Sequence, residues 1–219
     1  MKQLRETTQY TAHEEIMNSV TSGAGLLVSI AGLILLIVTS SVSGQARHVV
    51  SSIVFGMSLI LLYTASTLYH SFQRPKIKNF FKILDHSCIY VLIAGTYTPF
   101  MIIVVRGVLG WTIFAVVWSL TVLGIIFKAF FVNRFKIVST VAYVLMGWLI
   151  IFAIKPLFQA LPEAGIAWLV AGGLAYTLGT IFYIWKGLPF NHAVWHLFVL
   201  AGSTCHLIAV LFYVLPGEI

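Results

Sequence analysis

The chain has 219 residues, of which 60% are hydrophobic and 9% charged, and it carries a formal net charge of +7. A water-soluble domain carries about 25% charged residues, so the composition excludes one and identifies an integral membrane protein. The positive balance reads as topology and contact with anionic lipid headgroups; the basic run RPKIKNFFK is short and lies between two spans, which leaves nucleic-acid binding without support.

Residues 1–23 are polar, without the apolar core or small-residue cleavage site of a cleavable signal, and are expected to form a cytoplasmic segment. Seven apolar runs follow, near 24–41, 49–70, 83–104, 108–127, 137–155, 164–185 and 193–215. Crossing about 30 Å of hydrocarbon takes about 20 helical residues, so each run is long enough to span. The runs are continuously apolar and lack the period-2 alternation of a membrane barrel. The expected fold is therefore an all-α, seven-transmembrane-helix bundle occupying 1–219 as one domain.

Gly and Pro punctuate the runs. Pro99, within GTYTPF, is expected to kink helix 3, and Gly172, Gly173 and Gly179 to give helix 6 small surfaces for close packing. Cys88 and Cys205 lie inside predicted helices without CxxC spacing and read as packing residues.

Orientation follows from the 13 basic residues. Lys2, Arg5, Arg74, Lys76, Lys78, Lys82, Lys128, Arg134, Lys136 and Lys186 fall on one side of the alternating connections, against Arg47, Arg106 and Lys155 on the other. The positive-inside rule then puts the N-terminus in the cytoplasm and the C-terminus outside.

Ionisable groups within a bilayer are costly and mark functional positions. Of the six carboxylates, Asp85 alone falls within a predicted span. His70 is expected to end helix 2, Asp85 and His86 to begin helix 3, and His192 and His196 to begin helix 7, all at one cytoplasmic level. His192 and His196 stand at i and i+4 and share a helix face, the spacing that lets two imidazoles hold one metal. Ser66 and His70 repeat this spacing on helix 2. Three imidazoles with a fourth position left for water are a familiar zinc site, whereas closed structural sites take four protein ligands. Fe²⁺, Co²⁺ and Ni²⁺ stay open on ligand chemistry, and Ca²⁺ and Mg²⁺ do not suit it. His206 lies ten residues past His196, about 15 Å deeper, and reads as a core histidine lining an inner cavity.

Taken together, Ser66 and His70 in S-x3-H, Asp85 in DHSCIY, AGTYTPF of helix 3, GGLAYTLGTIFY of helix 6 and HAVWH of helix 7 resemble the hemolysin III proteins of bacteria. Those fall within the progestin and adipoQ receptor family, which includes the adiponectin receptors. The resemblance runs from about Glu14 to the end of helix 7. It implies seven helices, a cytoplasmic N-terminus and a zinc near the cytoplasmic face held by His70, His192 and His196, with Asp85 near the water that the metal activates and Ser66 one turn from the first ligand. The family's E-x-x-N motif is matched by Glu15 and Asn18, and Thr21 fits the Thr-His that follows, but Ser22 stands where the His is expected. Glu15 and Asn18 are expected to cap helix 1, hydrogen bonding to a ligand being the other role open to them.

The resulting expectation is a multi-pass cell-membrane protein acting as a zinc-dependent hydrolase of a lipid amide or ester, since the adiponectin receptors are similar to ceramidases. Asp85 would accept the proton of the attacking water and Ser66 would hydrogen-bond the oxyanion. The alternative is a non-enzymatic receptor or regulator whose zinc ties helices 2, 3 and 7 together. A cytolytic pore former fits less well, because nothing in the chain offers a soluble state.

Overall fold

The computed structural model describes residues 10–42, 44–185 and 187–216. The expectations placed on Lys2, Arg5, Lys186 and the C-terminal Ile219 lie outside the described residues. Seven helices long and apolar enough to cross a membrane are present: α1 Ala12–Val42, α2 Ala46–Ser71, α3 Pro75–Val105, α4 Gly107–Phe131, α5 Lys136–Ala160, α6 Glu163–Ile184 and α7 Asn191–Val214. Among the described residues there is no strand, so the fold is the expected all-α bundle.

The helices extend further than the apolar runs. α1 begins at Ala12, inside the segment expected to be a polar tail, because Thr11 and Glu14 form a reciprocal cap: Thr11 N–H donates to Glu14 Oε2 at 2.7 Å and Glu14 N–H to Thr11 Oγ1 at 3.3 Å. The added turns carry Glu15, Asn18 and Ser22 on one buried face that continues through Gly25, Ser29, Gly32 and Leu36. α3 likewise begins at Pro75, where a proline at the first helical position costs no hydrogen bond. Asp85 and His86 therefore lie almost three turns inside α3 rather than at its start. Lys76, Lys78 and Lys82 are helical, not loop, residues, and Lys128 is a buried residue of α4.

Successive helices pack side by side, most closely α1 with α2, α2 with α3 and α6 with α7, and contacts between α7 and α1 close the ring. α2, α3 and α7 bury the largest share of their surface, while α1, α4, α5 and α6 present apolar side chains such as Leu27, Val122, Leu145 and Leu178 outward, as a lipid-facing wall requires. α3 does not stop at Pro99: the proline lacks an amide hydrogen, and the chain continues as a wide π turn over Phe100–Val105, with Arg106 N–H donating to Met101 C=O at 2.9 Å.

α5 is the loosest member. It is drawn into a 3₁₀ stretch over Trp148–Ala153 and packs sparsely on α6. Two of the three α6 glycines behave as expected, since a Cβ on Gly172 would strike the His206 ring and one on Gly179 would strike Trp195 and Phe198. Gly173 does not: it has only Trp148 nearby, at 4.0 Å, and lines an internal cavity instead of a helix contact.

Candidate metal centre

α2 ends on His70 and α7 begins with His192 and His196, so the two helix termini bring three imidazoles together at the end of the bundle where α1 also starts. One ligand atom from each lies within 4.8 Å of the others, and all three side chains are buried. Their ring centroids are 5.0 Å (His70 and His192), 5.2 Å (His70 and His196) and 4.5 Å (His192 and His196) apart.

The hydrogen bonding leaves nitrogens free for a cation. His70 Nδ1 is 2.7 Å from Glu15 Oε2, and Glu15 Oε1 is 2.8 Å from Lys78 Nζ. Lys78 is itself buried against the Tyr69 and Phe72 carbonyls. With the carboxylate holding the Nδ1 proton, His70 Nε2 keeps its lone pair, and it has no hydrogen-bond partner; neither ring nitrogen of His192 has one. A buried polar atom left unpaired costs about 1–3 kcal/mol, and these atoms converge, so the residues fit a bound cation. A histidine ligand oriented through its other nitrogen by a carboxylate is the usual outer support of such sites.

His196 is oriented from α1. Its Nδ1 lies 3.0 Å from Thr21 Oγ1, 3.1 Å from Ser22 Oγ and 3.2 Å from the Asn18 carbonyl oxygen. Capping is therefore not what Glu15 and Asn18 do. The cap belongs to Thr11 and Glu14, and Glu15, the Asn18 backbone, Thr21 and Ser22 serve the histidines. Ser22 Oγ also lies 2.9 Å from Ser66 Oγ.

Asp85 and His86 stand on α3 beside this group without belonging to it. Asp85 Oδ2 is 3.0 Å from His86 Nδ1, and His86 Nε2 is 3.3 Å from Tyr183 Oη. Tyr143 Oη donates to the His86 carbonyl at 2.9 Å. Asp85, Ser66, Ser22, His192 and His196 all line one end of a predominantly apolar cavity that extends past Tyr176 to His206. His206 Nε2 is bound at 3.2 Å to the Leu169 carbonyl, away from the three-His group. Along α5 and α6, which pack sparsely on each other, the cavity wall includes Ile151 and Val170, which are 54% and 39% exposed.

On the opposite side of the group, Tyr10 stacks on His192 at a centroid distance of 5.1 Å and meets His70 edge-on at 6.1 Å. Burial, with the carboxylates of Glu15, Asp85 and Glu14 nearby, raises the Tyr10 phenol well above its ordinary pKa, so it stays neutral.

A family model described as Haemolysin-III related matches residues 10–207. The chain belongs to this family. It is 54% identical to "Hemolysin-3" of Bacillus cereus over 98% of both chains, and 52% identical to "Hemolysin-3 homolog" of Bacillus subtilis strain 168 over 93% of this chain and 96% of that one. A more distant likeness, 27% identity over 91% of this chain and 84% of the relative, is to the human "Monocyte to macrophage differentiation factor", of the progestin and adipoQ receptor family. As a haemolysin-III-related protein with seven spanning helices, the chain is a multi-pass membrane protein, and its three-His group is a possible metal site within that family's framework.

Proposed function

We propose that this protein is a zinc-dependent hydrolase of a lipid amide or ester, working near the cytoplasmic face of the membrane. The observation that carries the reading is that three imidazoles converge beside an apolar cavity that two of them, His192 and His196, line, while Asp85, the α3 carboxylate, stays outside their group at 3.0 Å from His86 Nδ1. Three protein ligands with one open position are the catalytic pattern for zinc; a zinc that only tied helices together would take a fourth protein ligand, for which Asp85 is the candidate. Zinc held by His70, His192 and His196 would supply a Lewis acid for the scissile carbonyl and lower the pKa of a water toward neutrality.

The remaining chemistry falls to the chain's own side chains. Asp85, 3.0 Å from His86 Nδ1, orients the attacking water and accepts its proton; Ser66 donates a hydrogen bond to the developing oxyanion. The apolar cavity takes the hydrocarbon of the lipid, which enters sideways through the sparse α5–α6 wall. Arg74, Lys76 and Arg134 face anionic headgroups on the cytoplasmic side.

The test is lipid turnover by the protein in lipid nanodiscs, wild type against Asp85→Asn, with bound zinc measured in both. Loss of turnover of one amide or ester lipid class with zinc retained supports the hydrolase. Loss of zinc in Asp85→Asn, or absence of turnover by zinc-loaded wild type, overturns it in favour of a regulator with a structural metal.

A further inference from the structure

Ser22 is 1% exposed and lies on the inner face of α1. Its hydroxyl joins a histidine of the metal group to a serine of the cavity wall: Ser22 Oγ is 3.1 Å from His196 Nδ1 and 2.9 Å from Ser66 Oγ. We propose that Ser22 is a positioning residue, which passes the tautomer of His196 to Ser66 and makes Ser66 a hydrogen-bond donor into the cavity.

The direction of the chain follows from counting protons. A neutral imidazole that offers its Nε2 lone pair to a metal carries its proton on Nδ1. His196 Nδ1 must then donate, and every polar atom around it is an oxygen able to accept: Asn18 O, Thr21 Oγ1 and Ser22 Oγ. Thr21 spends its own proton on the Met17 and Asn18 carbonyls, at 2.9 and 3.0 Å. Ser22 has no such backbone acceptor. With Nδ1 protonated, the acceptor left for the Ser22 proton is Ser66 Oγ, and buried hydroxyls rarely go unsatisfied.

Ser66 thereby accepts from Ser22, and its own proton is left to point elsewhere. Two other buried serines of the bundle, Ser29 and Ser58, return their protons to backbone carbonyls of their own helices at 2.7 and 2.6 Å. Ser66 makes no bond of that kind, and it lines the cavity one turn from His70. Its proton is available to an acceptor in the cavity, in the place where an oxyanion beside the three histidines would need one. A buried donor aimed before the reaction begins costs no reorganisation during it. An imidazole at position 22 would change both the length and the polarity of this link, so the relay is a property of the serine.

The inference rests on the metal reading above, and acetohydroxamate tests it. This small zinc chelator places an anionic oxygen beside the metal, and its affinity is measured on zinc-loaded wild type, Ser22→Ala, Ser66→Ala and the double variant. Each single variant is expected to bind it roughly 3- to 10-fold more weakly, the scale of one neutral hydrogen bond, and the double variant no more weakly than either single one. Zinc affinity of Ser22→Ala stays near wild type, because His196 Nδ1 keeps Asn18 O and Thr21 Oγ1. Ser22→Thr, which retains the hydroxyl, restores hydroxamate affinity. Unchanged affinity in Ser22→Ala, or losses that multiply in the double variant, would overturn the relay alone. A wild type that takes up no zinc would remove both the relay and the metal reading.

Discussion

Glu15 Oε2 on α1 lies 2.7 Å from Nδ1 of His70 on α2, and the other oxygen of the same carboxylate lies 2.8 Å from Lys78 Nζ on α3. One buried carboxylate thus sets the orientation of a candidate ligand while its charge is balanced by a lysine from a third helix. Glu15→Ala is expected to lower zinc affinity by about 10- to 100-fold, the usual cost of losing such a support. Competition with a chelator of known affinity measures it. Wild-type affinity in Glu15→Ala would reduce the carboxylate to a helix tie.

Metal content should separate five of the seven histidines. One zinc per chain is expected, lost on His70→Ala, His192→Ala or His196→Ala and kept on His86→Ala and His206→Ala, as metal analysis of the purified variants would read. The last substitution removes a buried ring bonded to Leu169 and packed on Gly172, so its cost falls on stability, about 1–3 kcal/mol.

Tyr10 covers His192 with its ring. Tyr10→Ala should therefore speed removal of zinc by a water-soluble chelator severalfold, and Tyr10→Phe, which keeps the ring, should not. Stopped-flow chelation of the zinc-loaded protein distinguishes them; equal rates in all three forms would mean that the metal leaves by another route.

Two glycines of α6, Gly173 and Gly179, should respond differently to a methyl group. Gly179→Ala forces a Cβ into Phe198 and Trp195 and is expected to destabilise by about 1–3 kcal/mol. Gly173→Ala points into the cavity and should leave thermal stability in detergent unchanged. Equal melting temperatures for the two variants would argue against this α6–α7 packing.

Orientation is testable by labelling. In a background lacking Cys88 and Cys205, Arg74→Cys should react from the cytoplasm and Glu163→Cys from outside. Labelling of both from one side would contradict the alternation of spans.

The resemblance led to His70, His192 and His196 because a histidine pair at i, i+4 and a third imidazole at a helix end keep their meaning whatever the surrounding packing. Hydropathy alone places the start of α1 too late, although the start is written in the sequence: Thr11-Ala-His-Glu14 is a capping box, and adding its turns to the helix puts Glu15, Asn18 and Ser22 on one face at intervals of three and four. Judging the start by apolarity hid it, since polar residues that serve a buried site look like a tail. Apolarity likewise shortens α3 and puts Asp85 at the helix end, whereas it lies almost three turns inside.

By itself the sequence determined the membrane class, the seven spans and the supply of imidazoles, because these depend on local apolarity and on helix periodicity, which neighbours along the chain dictate. Only the tertiary structure decided that Glu15 reaches His70, that Ser22 bridges His196 and Ser66, and that His86 turns to Asp85 and Tyr183 rather than to the metal group. Apart from the adjacent Asp85 and His86, those relations join residues tens to more than a hundred positions apart, and they hang on the rotation and depth of whole helices against one another. Packing sets both quantities, and a pattern read along one helix does not contain them.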